Sequence, residues 1–309
     1  MGHLWRVLVK SESQGGAARS VEVPGVTTRR ASAANLLCCF TVGMNPMDAY
    51  RLDGRVVVVT GAASGIGAKT CEVLGASGAT VVAADLNADG AQATVDAVVA
   101  AGGTGTAVAA DVTRRADVEN LVPTAVADHG RLDGMCNIAG AMFPGRIEDL
   151  EDDVIDAGIN LNLKGVLYGT QYAIRAMKAS GGGSIVNVSS TAIDVPYVGI
   201  GVYAFTKAAV AMLSMTAALE AGEYGIRVNS IAPGATLTPF TTWRLYKPDG
   251  TLDQEAYDAF IEFSKSTSPL RVVGEPIDQA LLIHYLISDA SKFATGSIFR
   301  VNGGQSMPW

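Results

Sequence analysis

The sequence predicts an α/β fold, a single doubly wound domain whose seven-stranded parallel sheet is flanked by helices. Three observations carry that expectation. From Arg55 onward, short β-branched runs alternate with longer helix-compatible stretches, the pattern of a parallel sheet covered on both faces. A glycine cluster, TGAASGIG at 60–67, stands between the first strand and the first helix. No linker or short-period repeat interrupts the alternation, so most of the 309 residues read as one domain.

The elements follow in order. RVVVVT at 55–60 is a continuous apolar run of strand type, and a helix is expected from Ile66 to Ser77. TVVAAD at 80–85, a helix near 88–101 and GTAVAAD at 105–111 add two right-handed crossovers. A helix near 114–129 leads into GMCNIAG at 134–140, and a long helix near 153–179 leads into GSIVNVSS at 183–190. After a helix containing Tyr203 come IRVNSIAPG at 226–234, an irregular segment, a helix near 276–288 and a last strand in SIFRVNG.

Residues 1–50 differ from this pattern. Up to Gly43 they hold five basic and two acidic side chains, a balance of +3 that leaves −10 on the rest of a chain whose net charge is −7. They lack sustained periodicity and read as a disordered or over-extended start, with Met44 or Met47 as the natural initiator. The Arg-containing, acid-poor composition has a transit peptide as its competing reading, while the LLCCF patch is too short for a secretory signal.

Composition excludes several function classes. Hydrophobic residues make up 49% of the chain and charged residues 17%, enough to bury a large core. No apolar run reaches the roughly 18–20 residues of a membrane span, and the acidic balance offers no basic field for nucleic acid. Cys38, Cys39, Cys71 and Cys136 lack metal-knuckle or disulfide-framework spacing, and His3, His129 and His284 are far apart. No metal is expected, and a reducing cytoplasm fits best.

Chemistry concentrates at two places. In TGAASGIG, Gly61 permits the sharp turn off the strand, Gly65 lets backbone approach a diphosphate, and Gly67 lets the helix pack close to the sheet. The anion then faces the helix N-terminus. Asp85 ends the second strand 18 residues beyond Gly67, where a carboxylate accepts hydrogen bonds from a ribose diol and repels a 2′-phosphate. No Lys or Arg lies in GAASGIG or DLNADG to neutralise such a phosphate, so NAD is expected over NADP. Downstream, Tyr203 and Lys207 stand four residues apart on one helix face. An ammonium beside a phenol stabilises the phenolate, so Lys207 is expected to lower the Tyr203 pKa from about 10.

In sequence order, TGAASGIG, Asp85, Asp111-Val112, Asn137-Ile138-Ala139-Gly140, Asn162-Leu-Lys-Gly, Ser190, Tyr203-x-x-x-Lys207 and Pro233-Gly234 resemble the classical short-chain dehydrogenase/reductase family over about residues 52–304. The resemblance implies a Rossmann-type domain and a catalytic tetrad of Asn162, Ser190, Tyr203 and Lys207. Tyr203 would exchange the proton, Ser190 would hydrogen-bond the same substrate oxygen, Lys207 would also bind the nicotinamide ribose, and Asn162 would hold water in a relay to Lys207. Ser189 and Asn160 compete with Ser190 and Asn162, and family spacing selects the latter two. The cofactor-binding set is Gly61, Ser64, Gly65, Ile66, Gly67, Asp85, Asp111, Val112, Asn137, Ala139, Gly140, Tyr203, Lys207, Pro233, Gly234 and Thr238. The family's second Asn is Ile138 here, which removes one amide from that motif.

Residues 236–270 carry Phe240, Trp243, Tyr246, Tyr257, Phe260 and Phe263, a composition suited to a lid over an apolar substrate. Helical packing on the core or on a partner subunit is the competing reading. The activity expected is NAD-dependent interconversion of a hydrophobic secondary alcohol, steroid-like or alicyclic, and its ketone. A 3-oxoacyl thioester reductase is the alternative, although that class normally uses NADPH. A non-catalytic NAD sensor would need no Ser190, Tyr203 and Lys207 together, and a nucleotide-sugar epimerase usually has a larger C-terminal region. Family members are commonly tetramers, and the Ala- and Met-rich helix 207–221 suits an interface in a homo-oligomer.

Overall fold

A computed structural model describes residues 5–8, 20–23 and 45–308. Two short strands, Trp5–Leu8 and Ser20–Val23, pair antiparallel with Trp5 opposite Val23 and belong to a unit of their own, Met1–Pro46. The sequence gives no sign of these strands. The remainder of residues 1–44, Met44 included, lies outside the described residues.

The second unit, Met47–Trp309, begins a few residues before the expected boundary. A 3₁₀ turn at Pro46–Tyr50 leads into it. Its Tyr50 carbonyl accepts from His284 Nε2 at 2.7 Å, and the Tyr50 ring packs against His284 and Tyr285.

Seven parallel strands form the sheet of this unit: β1 Val56–Thr60, β2 Thr80–Asp85, β3 Thr104–Ala109, β4 Gly134–Asn137, β5 Gly183–Val188, β6 Ile226–Ile231 and β7 Ile298–Phe299. Their order across the sheet is β3-β2-β1-β4-β5-β6-β7. The chain reverses direction of travel between β1 and β4, and the carboxyl ends of strands at such a switch point form the ligand crevice of open α/β sheets.

Strand alternation explains the double winding. Val56 and Val58 of β1 face one core cluster with Leu121, Tyr172, Met177 and Ala217. These come from α3 Arg115–His129, α5 Gly165–Ser180 and α6 Gly201–Ala221. Val57 and Val59 face the other cluster with Leu74, Val98 and Ile283, from α1 Gly65–Ala76, α2 Ala88–Ala100 and α9 Pro276–Ile287. Helix α6, extended to Tyr224, is long and apolar enough to cross a membrane by length and composition, yet half of that window is buried in the core.

Three expectations are corrected. The long helix is divided into α4 Asp152–Gly158, a π-helical turn Ile159–Lys164 and α5. The wider turn coincides with Asn162, whose side chain reaches the Ala141 main chain; single π turns of this kind often mark functional positions. Strand β4 ends at Asn137 rather than Gly140, because Thr60 Oγ1 accepts from the N–H groups of Ile138 and Ala139 at 3.2 and 3.4 Å. The irregular segment holds two helices, α7 Pro239–Thr242 and α8 Gln254–Thr267. Asp253 caps α8 by accepting from Ala256 N, which supplies one of the acceptors a helix start requires.

Candidate active site

A cleft of about 900 Å³ opens at the carboxyl ends of the strands. Its first wall is the glycine turn after β1. Gly61 has φ 70°, and a Cβ there would stand 2.8 Å from the Ala139 backbone, so the turn and the loop after β4 approach as only glycine allows. A Cβ on Gly67 would collide with the Gly61 carbonyl oxygen, which makes the tight exit into α1 dependent on that glycine. Ser64 precedes α1 without capping it, so no side chain competes for the helix's N-terminal amides. Ser64, Gly65 and Ile66 line the cleft. A backbone cradle at a helix start suits the diphosphate of a nicotinamide dinucleotide, and these residues fit that group.

Asp85 lies at the end of β2 on the same wall. Its Oδ2 accepts from Ala63 N at 3.0 Å and its Oδ1 from Asn87 N at 2.9 Å. The carboxylate is thereby fixed in orientation, and each oxygen keeps further acceptor capacity. Asp111 and Val112 line the cleft beyond it, with Asp111 Oδ1 accepting from the Thr113 amide and hydroxyl. Ala139, Gly140, Pro233, Gly234 and Thr238 line it as well.

Asn137 departs from its expected place. Its side chain is buried in a polar network, with Nδ2 donating to Asn187 Oδ1 at 2.8 Å, and Asn187 donating to Ser214 Oγ at 3.0 Å. The strand ends with this residue facing α5 and α6, so it braces the sheet rather than lining the cleft.

Ser190, Tyr203 and Lys207 of the expected tetrad line the cleft, and Asn162 lies buried behind its wall. Helix α6 presents Tyr203 and Lys207, both buried, with Lys207 Nζ 5.7 Å from the Tyr203 ring centroid and donating to Val188 O at 2.8 Å. Ser190, in extended conformation, opens a short turn by accepting from Ala192 N at 3.1 Å. Its neighbour Ser189 donates to Lys207 O at 2.8 Å; strand alternation thus separates the two hydroxyls. Asn162 is buried, accepting from Ala141 N and donating to Ala141 O, both at 2.9 Å. A Cβ on Gly140 would stand 2.9 Å from Asn162 Oδ1 and 3.3 Å from Lys207 Nζ, so Asn162 adjoins the lysine. Asn160 instead accepts from Lys164 at the exposed side.

Burial changes the electrostatics expected of the pair. It raises the Tyr203 phenol above its ordinary value, while hydrogen bonding from Ser190 works in the opposite direction. Burial also pushes Lys207 down to about 8. Desolvation penalises both charged forms, and at this separation it outweighs the mutual stabilisation expected from sequence.

The substrate end is apolar. Phe240, Phe260 and Phe263 line the cleft together with Met142, Tyr197 and Ile200, and the Phe240 ring lies 5.7 Å from that of Tyr203. Trp243, Tyr246 and Tyr257 do not line it, and the first two are exposed. Met142, Tyr197, Ile200 and Gln305 are contributors that sequence reading missed. The position of Tyr197 and Ile200 between Ser190 and Tyr203 was the available signal for two of them.

Comparison with known proteins agrees with this geometry. A family model for short chain dehydrogenase matches residues 55–246. The chain is 36% identical over 259 residues to 2,5-dichloro-2,5-cyclohexadiene-1,4-diol dehydrogenase LinX of Sphingobium indicum, covering 84% of this chain and 99% of that one. It is 35% identical over 254 residues to 3-oxoacyl-[acyl-carrier-protein] reductase FabG of Thermotoga maritima, covering 82% and 98%. Among solved structures, 7α-hydroxysteroid dehydrogenase complexed with NADH and 7-oxo glycochenodeoxycholic acid superposes with a TM-score of 0.77 at 31% identity, covering 86% of this chain and all of that one. The chain belongs to the short chain dehydrogenase family, oxidoreductases that bind a nicotinamide cofactor and act on CH–OH groups.

Proposed function

We propose that the protein is an NAD-dependent dehydrogenase interconverting a hydrophobic cyclic secondary alcohol, alicyclic or steroid-like, and its ketone. The observation that carries this reading is the aromatic wall of Phe240, Phe260 and Phe263, continuous with the Tyr203 hydroxyl in one cleft. The nicotinamide cofactor, when bound, supplies or accepts the hydride. Tyr203 moves the proton at the substrate oxygen, and Ser190 hydrogen-bonds the same oxygen and orients it. Lys207 holds positive charge beside the phenol and binds the nicotinamide ribose. Asn162, fixed on Ala141, shapes the path by which a proton reaches Lys207.

Asp85 supports NAD as the cofactor. Lys207 and Arg244 are the only cations among the described residues lining the cleft, and neither belongs to the Asp85 wall in sequence. A 2′-phosphate there would meet a carboxylate without a compensating cation. Steady-state assays over cyclic alcohols and ketones, read by NADH fluorescence, are expected to show turnover with cyclohexanol or larger rings. The specificity constant is expected to favour NAD over NADP by about 10²-fold, a gap of ~2.7 kcal/mol. Equal efficiency with both cofactors would refute the NAD assignment.

The FabG relative favours a second reading, reduction of a 3-oxoacyl thioester. Acetoacetyl-CoA in the same assay separates the two, since only the second reading expects it to outperform cyclic ketones.

A homo-oligomer in the cytoplasm completes the reading. Phe205, Met212 and Leu219 are exposed along α6, and Cys71 and Cys136 are buried free thiols. Light scattering of the purified protein is expected to give a multiple of 31.9 kDa; the mass of one chain would exclude the oligomer.

A further inference from the structure

The segment after β7 is bonded to Ala235 and Thr267 of the cleft wall and to Asp194 in the turn that follows Ser190. Arg300 Nε and Nη2 donate to Asp194 Oδ2 and Oδ1 at 2.7 and 3.0 Å, and Ser306 Oγ donates to Asp194 Oδ2 at 2.8 Å. Gln305 Oε1 accepts from Ala235 N at 2.8 Å, beside Gly234, while its Nε2 donates to Thr267 Oγ1 at 3.1 Å, at the end of α8. Asn302 Nδ2 donates to Ser306 Oγ at 2.9 Å. These bonds fold the tail back on itself.

Asp194 closes the turn that Ser190 opens. Within it, Ile193 N donates to Ser190 O at 3.2 Å and Asp194 N donates to Thr191 O at 2.9 Å. The turn has two outside anchors. One is main-chain, from Thr191 N to Pro233 O at 3.0 Å. The other is the Asp194 side chain, held bidentately by Arg300. A forked guanidinium–carboxylate pair fixes orientation as well as distance, and with side chains only 25% and 12% exposed the pair is poorly screened.

We propose that Asp194 and Arg300, with Ser306, are positioning residues that hold the Ser190 hydroxyl in register with Tyr203. A turn anchored at both ends presents Ser190 at a fixed distance from the phenol; released at Asp194, it pivots about the Pro233 contact. The inference rests on the proposed role of Ser190 at the substrate oxygen.

The test compares Asp194→Ala, the double variant Asp194→Ala/Arg300→Met, and Ser190→Ala in the full chain. The assay is NAD-linked oxidation of cyclohexanol, or of whichever cyclic alcohol is turned over fastest. Asp194→Ala strands a partly buried guanidinium, whereas the double variant leaves no charge unpaired. The double variant is therefore expected to recover thermal stability but to keep kcat about 10–100-fold below the parent, with KM for NAD unchanged. Its crystal structure is expected to show Ser190 Oγ displaced by ~1 Å relative to the Tyr203 hydroxyl. Should Asp194→Ala fail to fold, the isosteric Asp194→Asn replaces it and is expected to show a smaller loss of kcat. Parental kcat and an unmoved Ser190 in the double variant, with Ser190→Ala impaired, would overturn the positioning role alone. Parental turnover in Ser190→Ala would overturn the reading of the site itself.

Discussion

Replacing Tyr203 with Phe is expected to lower kcat by about 10²–10⁴-fold, the usual contribution of a positioned general acid or base. NADH affinity, measured by fluorescence titration, is expected to stay unchanged. The substitution removes one hydroxyl and keeps the ring that packs against Phe240, so thermal stability changes little. Turnover retained in the variant would end the mechanism. The electrostatics add a direction to the wild-type pH profile. Alcohol oxidation needs the phenolate, and burial raises the phenol, so oxidation is expected to climb as pH rises from about 7 toward 8, where Lys207 begins to lose the positive charge beside the phenol. Ketone reduction needs the phenol, which is already populated at neutral pH. An oxidation rate that falls over that range would contradict the assignment.

Replacing Lys207 with Met is expected to abolish useful turnover and to make the protein more stable. Burial lowers the lysine from 10.5 to about 8, a depressed folded-state value. Below pH 8 the ammonium is charged in both states and its full burial cost is present, about 3 kcal/mol by linkage. Between about 8 and 10.5 the folded state has released the proton and the unfolded state has not, so the cost is relieved as pH rises. Losing the bond to Val188 O offsets part of the gain, since an unmatched buried carbonyl costs roughly 1–3 kcal/mol. A net stabilisation of ~1 kcal/mol at pH 7 corresponds to a Tm higher by about 2–4 °C. The advantage over wild type is expected to shrink above pH 8; a variant less stable than wild type at pH 7 in thermal melts would refute the argument.

The fold was legible because its determinants are local. Val56–Val59 announces a strand buried on both faces, and TGAASGIG announces the turn after it, whatever the rest of the chain does. Element ends were less legible where a distant side chain decides them. Strand β4 stops at Asn137 because Thr60, 78 residues before Ile138, captures the next amides, and the π turn coincides with Asn162 meeting Ala141. Within the site, the order of motifs located Ser190, Tyr203 and Lys207, while the network around Asn137 depends on Asn187 across the sheet. The sign of the Tyr203 shift was misread for a related reason: spacing reveals the neighbouring charge but not how much water both groups lose. Aromatic composition suits 236–270 to a lid or to a packed helical pair, and Phe240, Phe260 and Phe263 of it line the cleft; the bounds of α8 were not legible because its one buried residue is the polar Ser264.

The two backbone bonds accepted by Asp85 bear on redesign. On the proposed NAD reading, an engineer seeking to change which cofactor the enzyme accepts would begin at this residue, since removing its negative charge would admit a phosphorylated ribose. Yet Oδ2 is also the acceptor for Ala63 N inside the glycine turn, so a simple truncation would loosen the diphosphate cradle while altering the ribose pocket. On that reading, specificity and scaffold would be joined in one carboxylate. A successful swap needs a side chain that still accepts from Ala63, such as Ser or Asn, with the new positive charge introduced at exposed Leu86 or Asn87.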